Sequence, residues 1–77
     1  MYTEKSVIDK IEILEDGQIQ VRQADKVYKG GVEIAKTYHR HVLAPGDDFA
    51  NEDMRVQMVA TALHTKEVIN VYKASIG

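Results

Sequence analysis

The sequence predicts an α+β fold: a three-stranded antiparallel β-meander followed by one or two C-terminal helices packed on one sheet face. Three observations predict it. Apolar residues recur at every second position as far as Leu43, glycine-bearing breaks divide that run into three, and after Asn51 the apolar spacing changes to that of a helix. The chain of 77 residues makes one domain, 1–77.

In the first strand Ile11 and Ile13 share a face, and Ile19 and Val21 do so in the second. A three-residue loop, Glu15-Asp16-Gly17, sets Ile13 opposite Ile19 and Ile11 opposite Val21, whereas a two-residue loop would scatter apolar groups over both faces. Gly30-Gly31 reads as a two-residue turn into the third strand, Val32 to Leu43. That turn sets Val27 opposite Ile34, Asp25 opposite Lys36, Gln23 opposite Tyr38 and Ile19 opposite Val42. In this register the solvated face carries Tyr28, Thr37, His39 and His41. Arg40 falls on the apolar face opposite Val21, so a β-bulge near Thr37 is expected to re-aim it.

Pro45-Gly46 closes the strand, and Asp47 or Asp48 is placed to accept backbone N–H groups in an Asx-turn. Val56, Val59, Ala60 and Leu63 then follow the spacing of a helix lying on a sheet, with Asn51 as cap and Glu52 and Asp53 in the first turn. A second helical segment starts after Thr65, with Val68, Ile69, Val71 and Tyr72 apolar, either continuing the first or bending from it.

Composition excludes several classes of function. With no cysteine there is no disulfide framework and no thiolate metal cage. Folding of so short a chain buries only roughly 60% of its extended surface, so the core is thin and self-association is expected to supplement it. The net charge is −2, and neither half of the chain is a basic footprint: residues 1–44 hold seven Lys/Arg against seven Asp/Glu, and residues 45–77 three against five. The polar amino terminus lacks the apolar stretch of a secretory signal, and no apolar run spans a bilayer. A soluble protein that does not enter membranes is expected.

The segment "TYHRHVLAPGDD", residues 37–48, gathers the residues that could carry chemistry. His39 and His41 lie two apart on a strand and so share a face, where a divalent ion could bridge them with Asp47 and Asp48 as oxygen ligands. That metal reading ranks third, because a zinc site needs three or four ligands in a set geometry. Ser6 and Ser75 sit at the chain ends without an evident His/Asp partner, so no catalytic residue and no cofactor are assigned. The expectation is a protein that is not an enzyme. Tyr28, Tyr38, His39, Arg40 and His41, together with Val68 and Tyr72 of the C-terminal apolar segment, have the composition of a contact surface. A homo-oligomer, a dimer first of all, or another protein partner fits this surface. The alternative from another class is association with nucleic acid through the basic strand end Lys36–His41, with Tyr28 and Tyr38 as stacking platforms.

The order of motifs, "IQVR" at 19–22, "YHRHVL" at 38–43, "PGDD" at 45–48, "RVQ" at 55–57 and Thr65-Lys66-Glu67-Val68, resembles a group of short uncharacterised proteins encoded by tailed bacteriophages and found in marine metagenomic sequence. The similar proteins often have tryptophan and proline where this chain has His64 and Lys66. The resemblance implies a phage setting, in the host cytoplasm or on the virion, and no activity or ligand.

Overall fold

The structure, a computed structural model, describes residues 1–76. Strands β1 (Tyr2–Ile13), β2 (Ile19–Lys29) and β3 (Val32–Leu43) form one antiparallel sheet in the order β1-β2-β3, and helices α1 (Met54–Leu63) and α2 (Lys66–Ile76) follow. The predicted α+β meander is therefore the observed fold.

The first hairpin has the predicted register, with Ile13 opposite Ile19 and Ile11 opposite Val21. Its loop is closed by Leu14 N donating to Gln18 O at 2.8 Å, and Gly17 takes φ +95°, which a side chain would resist. At Asp9 the pairing slips by one residue, so that Ile8 faces Gln23 while Lys10 faces Arg22. Beyond this bulge β1 continues to Tyr2, well past the apolar alternation that announces it.

The second hairpin turns at Gly30-Gly31 as expected, but the register of β3 differs from the prediction. Ile34 is an extra, unpaired residue between Glu33, opposite Tyr28, and Ala35, opposite Val27. The bulge thus lies at the strand's beginning rather than near Thr37, and everything after it is shifted by one. Val21 faces His41, Gln23 faces His39, Asp25 faces Thr37 and Ile19 faces Leu43. Because strand side chains alternate, one extra residue exchanges the two faces: His39 and His41 lie on the helix-covered side, and Tyr38, Arg40 and Val42 on the open side. The awkward burial of Arg40 disappears.

The core is small. Ile8, Ile19, Val21 and Leu43 meet Val56 and Ala60 of α1, with Ile11, Phe49, Val59 and Leu63 packed around them. The cap of α1 is Asp53, whose carboxylate accepts from Arg55 N at 2.9 Å, and not Asn51; Glu52 precedes the helix instead of lying in its first turn. Arg55 also reaches across to donate to the Ile8 carbonyl beside the β1 bulge.

The two helices are separate. His64 turns its ring toward the first hairpin, where Nε2 donates to the Gly17 carbonyl at 2.7 Å, which fixes the proton on that nitrogen. Thr65 then caps α2 through its hydroxyl, which accepts from Val68 N. Where α1 lies on the sheet, α2 docks at its end: Val68 and Pro45 both abut Gly17, and Ile69 lies beside Gly46.

A ten-residue helix is about 15 Å long, whereas a 12-residue strand spans about 40 Å. α1 therefore covers only the half of the sheet near its turn with β1–β2. The other half projects as a bare arm, and the molecule measures 51 × 18 × 15 Å. A compact chain of this length has a radius of gyration of about 11.5 Å; here it is 15.7 Å.

Candidate functional site

The bulge at Ile34 gives β3 two chemically different faces. On the helix side His39 and His41 each meet a carboxylate of their own. His39 Nε2 lies 2.8 Å from Asp25, and His41 Nε2 contacts Glu52 in the loop before α1. Asp25 also accepts from the Ser6 hydroxyl at 2.7 Å and from the Gln23 amide at 2.9 Å, and these two donors hold its carboxyl below the ordinary aspartate range, with the charge of His39 adding to them.

Ser6, Asp25 and His39 do not form a nucleophile and base. The hydroxyl donates to the carboxylate, not to the imidazole, so His39 is not placed to take its proton. Nor do the metal candidates converge. His39 and His41 share a face but are engaged separately. Asp48 accepts from Ala50 N at 2.9 Å, the Asx-turn anticipated, and Asp47 accepts from Ala44 N, three residues back, at 2.8 Å. Among the described residues no group of three or more His, Cys, Asp or Glu is arranged to hold a metal ion.

The open side is different in character. Cross-strand partners share a face, and reading straight across the three strands gives Lys10, Arg22 and Arg40 in one row. Two positions along, Val7, Ala24 and Tyr38 make the next row, and beyond it lie Lys5, Lys26 and Lys36. Arg22 packs its guanidinium over the Tyr38 ring, 4.5 Å from the centroid, and Lys36 Nζ stands 5.8 Å from the same centroid. Ala24, beneath them, is fully buried.

Three acids share this face. Asp9 takes a two-pronged hydrogen bond from Arg22, with both distances at 2.9 Å, which lowers the aspartate's pKa and raises that of the arginine. Glu33 lies 3.9 Å from Lys26 and 3.5 Å from Lys36, whose ammonium it holds in the charged form. Glu12 is 3.4 Å from Lys10. Six cations thus face three acids here, while the remainder of the chain carries four Lys/Arg against nine Asp/Glu. A shallow groove of about 210 Å³ opens on this side, lined by Lys10, Glu12, Arg22, Arg40 and Val42 among others.

The residues singled out from sequence are therefore divided. Tyr28, Tyr38, Arg40 and Lys36 belong to the open face, and His39 and His41 to the other. Val68 and Tyr72 are half-buried on α2 at the far end of the sheet, with Val68 spent on packing against Gly17. Lys5, Lys10, Arg22 and Lys26 were not anticipated as a group. The pairing of Ile11 with Val21 already implies that Lys10 stands opposite Arg22, but without the Ile34 bulge Arg40 does not complete the row.

No family model, curated protein or solved structure matches the chain. No helix among the described residues is long and apolar enough to cross a membrane.

Proposed function

We propose that this protein is a non-enzymatic interaction module whose first partner is a second copy of itself, met along β3 and the bare arm. The observation that carries the reading is the exposure of β3: of its 12 residues only Leu43 is buried. An unpaired strand of this length offers a row of N–H and C=O groups to another chain. β3 is the better edge of the two, because from Ala35 to Leu43 it pairs regularly, whereas β1 is interrupted in mid-strand at Asp9.

The area involved supports a dimer. A monomer of 8.7 kDa exposes about 4,700 Å². This chain exposes 5565 Å². The excess is close to the roughly 800 Å² that each partner buries in an interface of standard size. At the arm's tip Tyr2, Val32 and Ile34 are each more than half exposed, which gives such an interface apolar anchors. The setting we propose, a phage-infected cell or the virion, rests on the sequence resemblance alone.

Sedimentation equilibrium at high micromolar concentration tests this. A mass of twice the protomer is expected, reverting to one protomer when Val32 and Ile34 are both replaced by lysine. A clean monomer across that range overturns the proposal.

A further inference from the structure

From the two cationic rows we infer that the open sheet face is a binding surface for single-stranded nucleic acid, with phosphates held by the Lys10-Arg22-Arg40 and Lys5-Lys26-Lys36 rows and a base stacked at Tyr38 between them. The self-association proposed above uses the backbone edge of β3 and the apolar arm tip, whereas this surface uses side chains of the open face, Lys36, Tyr38 and Arg40 of β3 among them.

Like charges placed directly opposite one another destabilise a sheet. Here each of two rows sets three cations side by side, across both strand pairs. Asp9, Glu12 and Glu33 offset half of that charge, and the rest is uncompensated within the chain. An anion with several charges would relieve both rows together. They are four residues apart along β2, or about 13 Å, so a single small anion cannot bridge them and a chain of phosphates can.

The middle row points to a base rather than a simple polyanion. Tyr38 is 42% exposed even with the Arg22 guanidinium over its ring. Arg22, layered on Tyr38, offers a second flat surface of the kind on which bases stack. Aromatic rings set among cations on an open sheet suit unpaired bases, since every base has a stacking face whatever its sequence. A duplex keeps its bases stacked inside and would gain nothing from Tyr38. The acidic remainder of the molecule repels phosphates and so confines them to this side.

Fluorescence anisotropy with a labelled oligothymidylate at about 20 mM salt is the test. The intact protein is expected to bind with micromolar affinity that falls steeply with salt, log K dropping with log[salt] by roughly 0.7 per phosphate engaged. Lys10→Gln together with Arg40→Gln should weaken binding roughly tenfold or more and flatten that slope by about 1.4. Tyr38→Ala should weaken it roughly five- to hundredfold with the slope unchanged, because it removes stacking and no charge. Circular dichroism of each variant confirms an intact fold. The inference is overturned by absence of binding at low salt, by affinity that the charge variants leave unchanged, by tighter binding to a duplex than to the single strand, or by binding to anionic phosphatidylserine vesicles without binding to the oligonucleotide.

Discussion

The two halves of the meander share three strands and differ in what covers them. From Ile8 to Ile13, with Ile19–Gln23 and His39–Leu43 opposite, one face lies under α1 and holds the apolar core. From Tyr2 to Val7, with Ala24–Lys29 and Val32–Tyr38 opposite, both faces lack a helix and polar side chains do the cross-strand work: Ser6 with Asp25, His39 with Asp25, Lys26 and Lys36 with Glu33. Exposed ion pairs contribute only ~0–1 kcal/mol each. The covered half therefore carries the stability, and the bare half is left free for contacts.

The largest test of that contrast is a pair of truncations. Ile19→Ala removes a fully buried side chain and should cost about 2–5 kcal/mol in urea unfolding followed by circular dichroism, enough to threaten so small a core. Val27→Ala, on the same face of the same strand but in the arm, should cost less than about 1 kcal/mol. A cost for Val27 as large as that for Ile19 would show the arm to be packed against something in solution.

Next in size is Gly17→Ala. The residue's φ of +95° is unfavourable for any side chain, and a Cβ would come within 2.9 Å of Val68 Cγ1 and 3.1 Å of Pro45 Cγ. A loss of about 1–3 kcal/mol is expected, with the α2 amides losing their protection against hydrogen exchange before those of β2. Uniform loss throughout the chain would mean that α2 does not open independently.

The smallest effect belongs to acid. Asp9 and Asp25 both titrate below the ordinary aspartate range because they accept side-chain hydrogen bonds, from Arg22 in the first case and chiefly from Gln23 and Ser6 in the second. A depressed folded pKa means that these bonds add stability above the unfolded value and lose it as pH falls through the folded one. Below about pH 4, amide protection factors should therefore fall around the Asp9 bulge and in the bare half beside Asp25, while the apolar core under α1 holds. Asp25→Asn should remove part of that pH dependence. An arm whose protection factors are indifferent to pH between 5 and 2 would contradict the role given to Asp25.

Legibility in the sequence follows the same division. Where a helix covers the sheet, burial enforces alternation, and Ile11, Ile13, Ile19 and Val21 suffice to derive the first hairpin's register. In the arm neither face is buried, so Tyr2–Val7 show no clear apolar pattern and the length of β1 could not be read. β3 carries polar side chains on both faces, which leaves nothing in its composition to report the unpaired Ile34; its register, and with it the placing of His39, Arg40 and His41, differs from the expectation by one residue. Helical periodicity gives α1 and α2, while the cap falls at Asp53 instead of the expected Asn51 because the loop from Pro45 runs two residues further. The cationic rows are a property of three strands in register, so no single stretch of sequence displays them.

Ile34 acts on β3 as a frame-shifting nucleotide acts on a message. Pairing it with Val27 would restore the simple two-residue hairpin count and turn the rest of the strand over, sending His39 and His41 to the open side and Arg40 into the apolar layer, whereas deleting it would close the bulge and leave Ala35 opposite Val27 and every later pair in place. Which side chains the outer strand shows to each side is thus decided by whether one residue at a solvent-exposed tip joins the ladder or is left out of it.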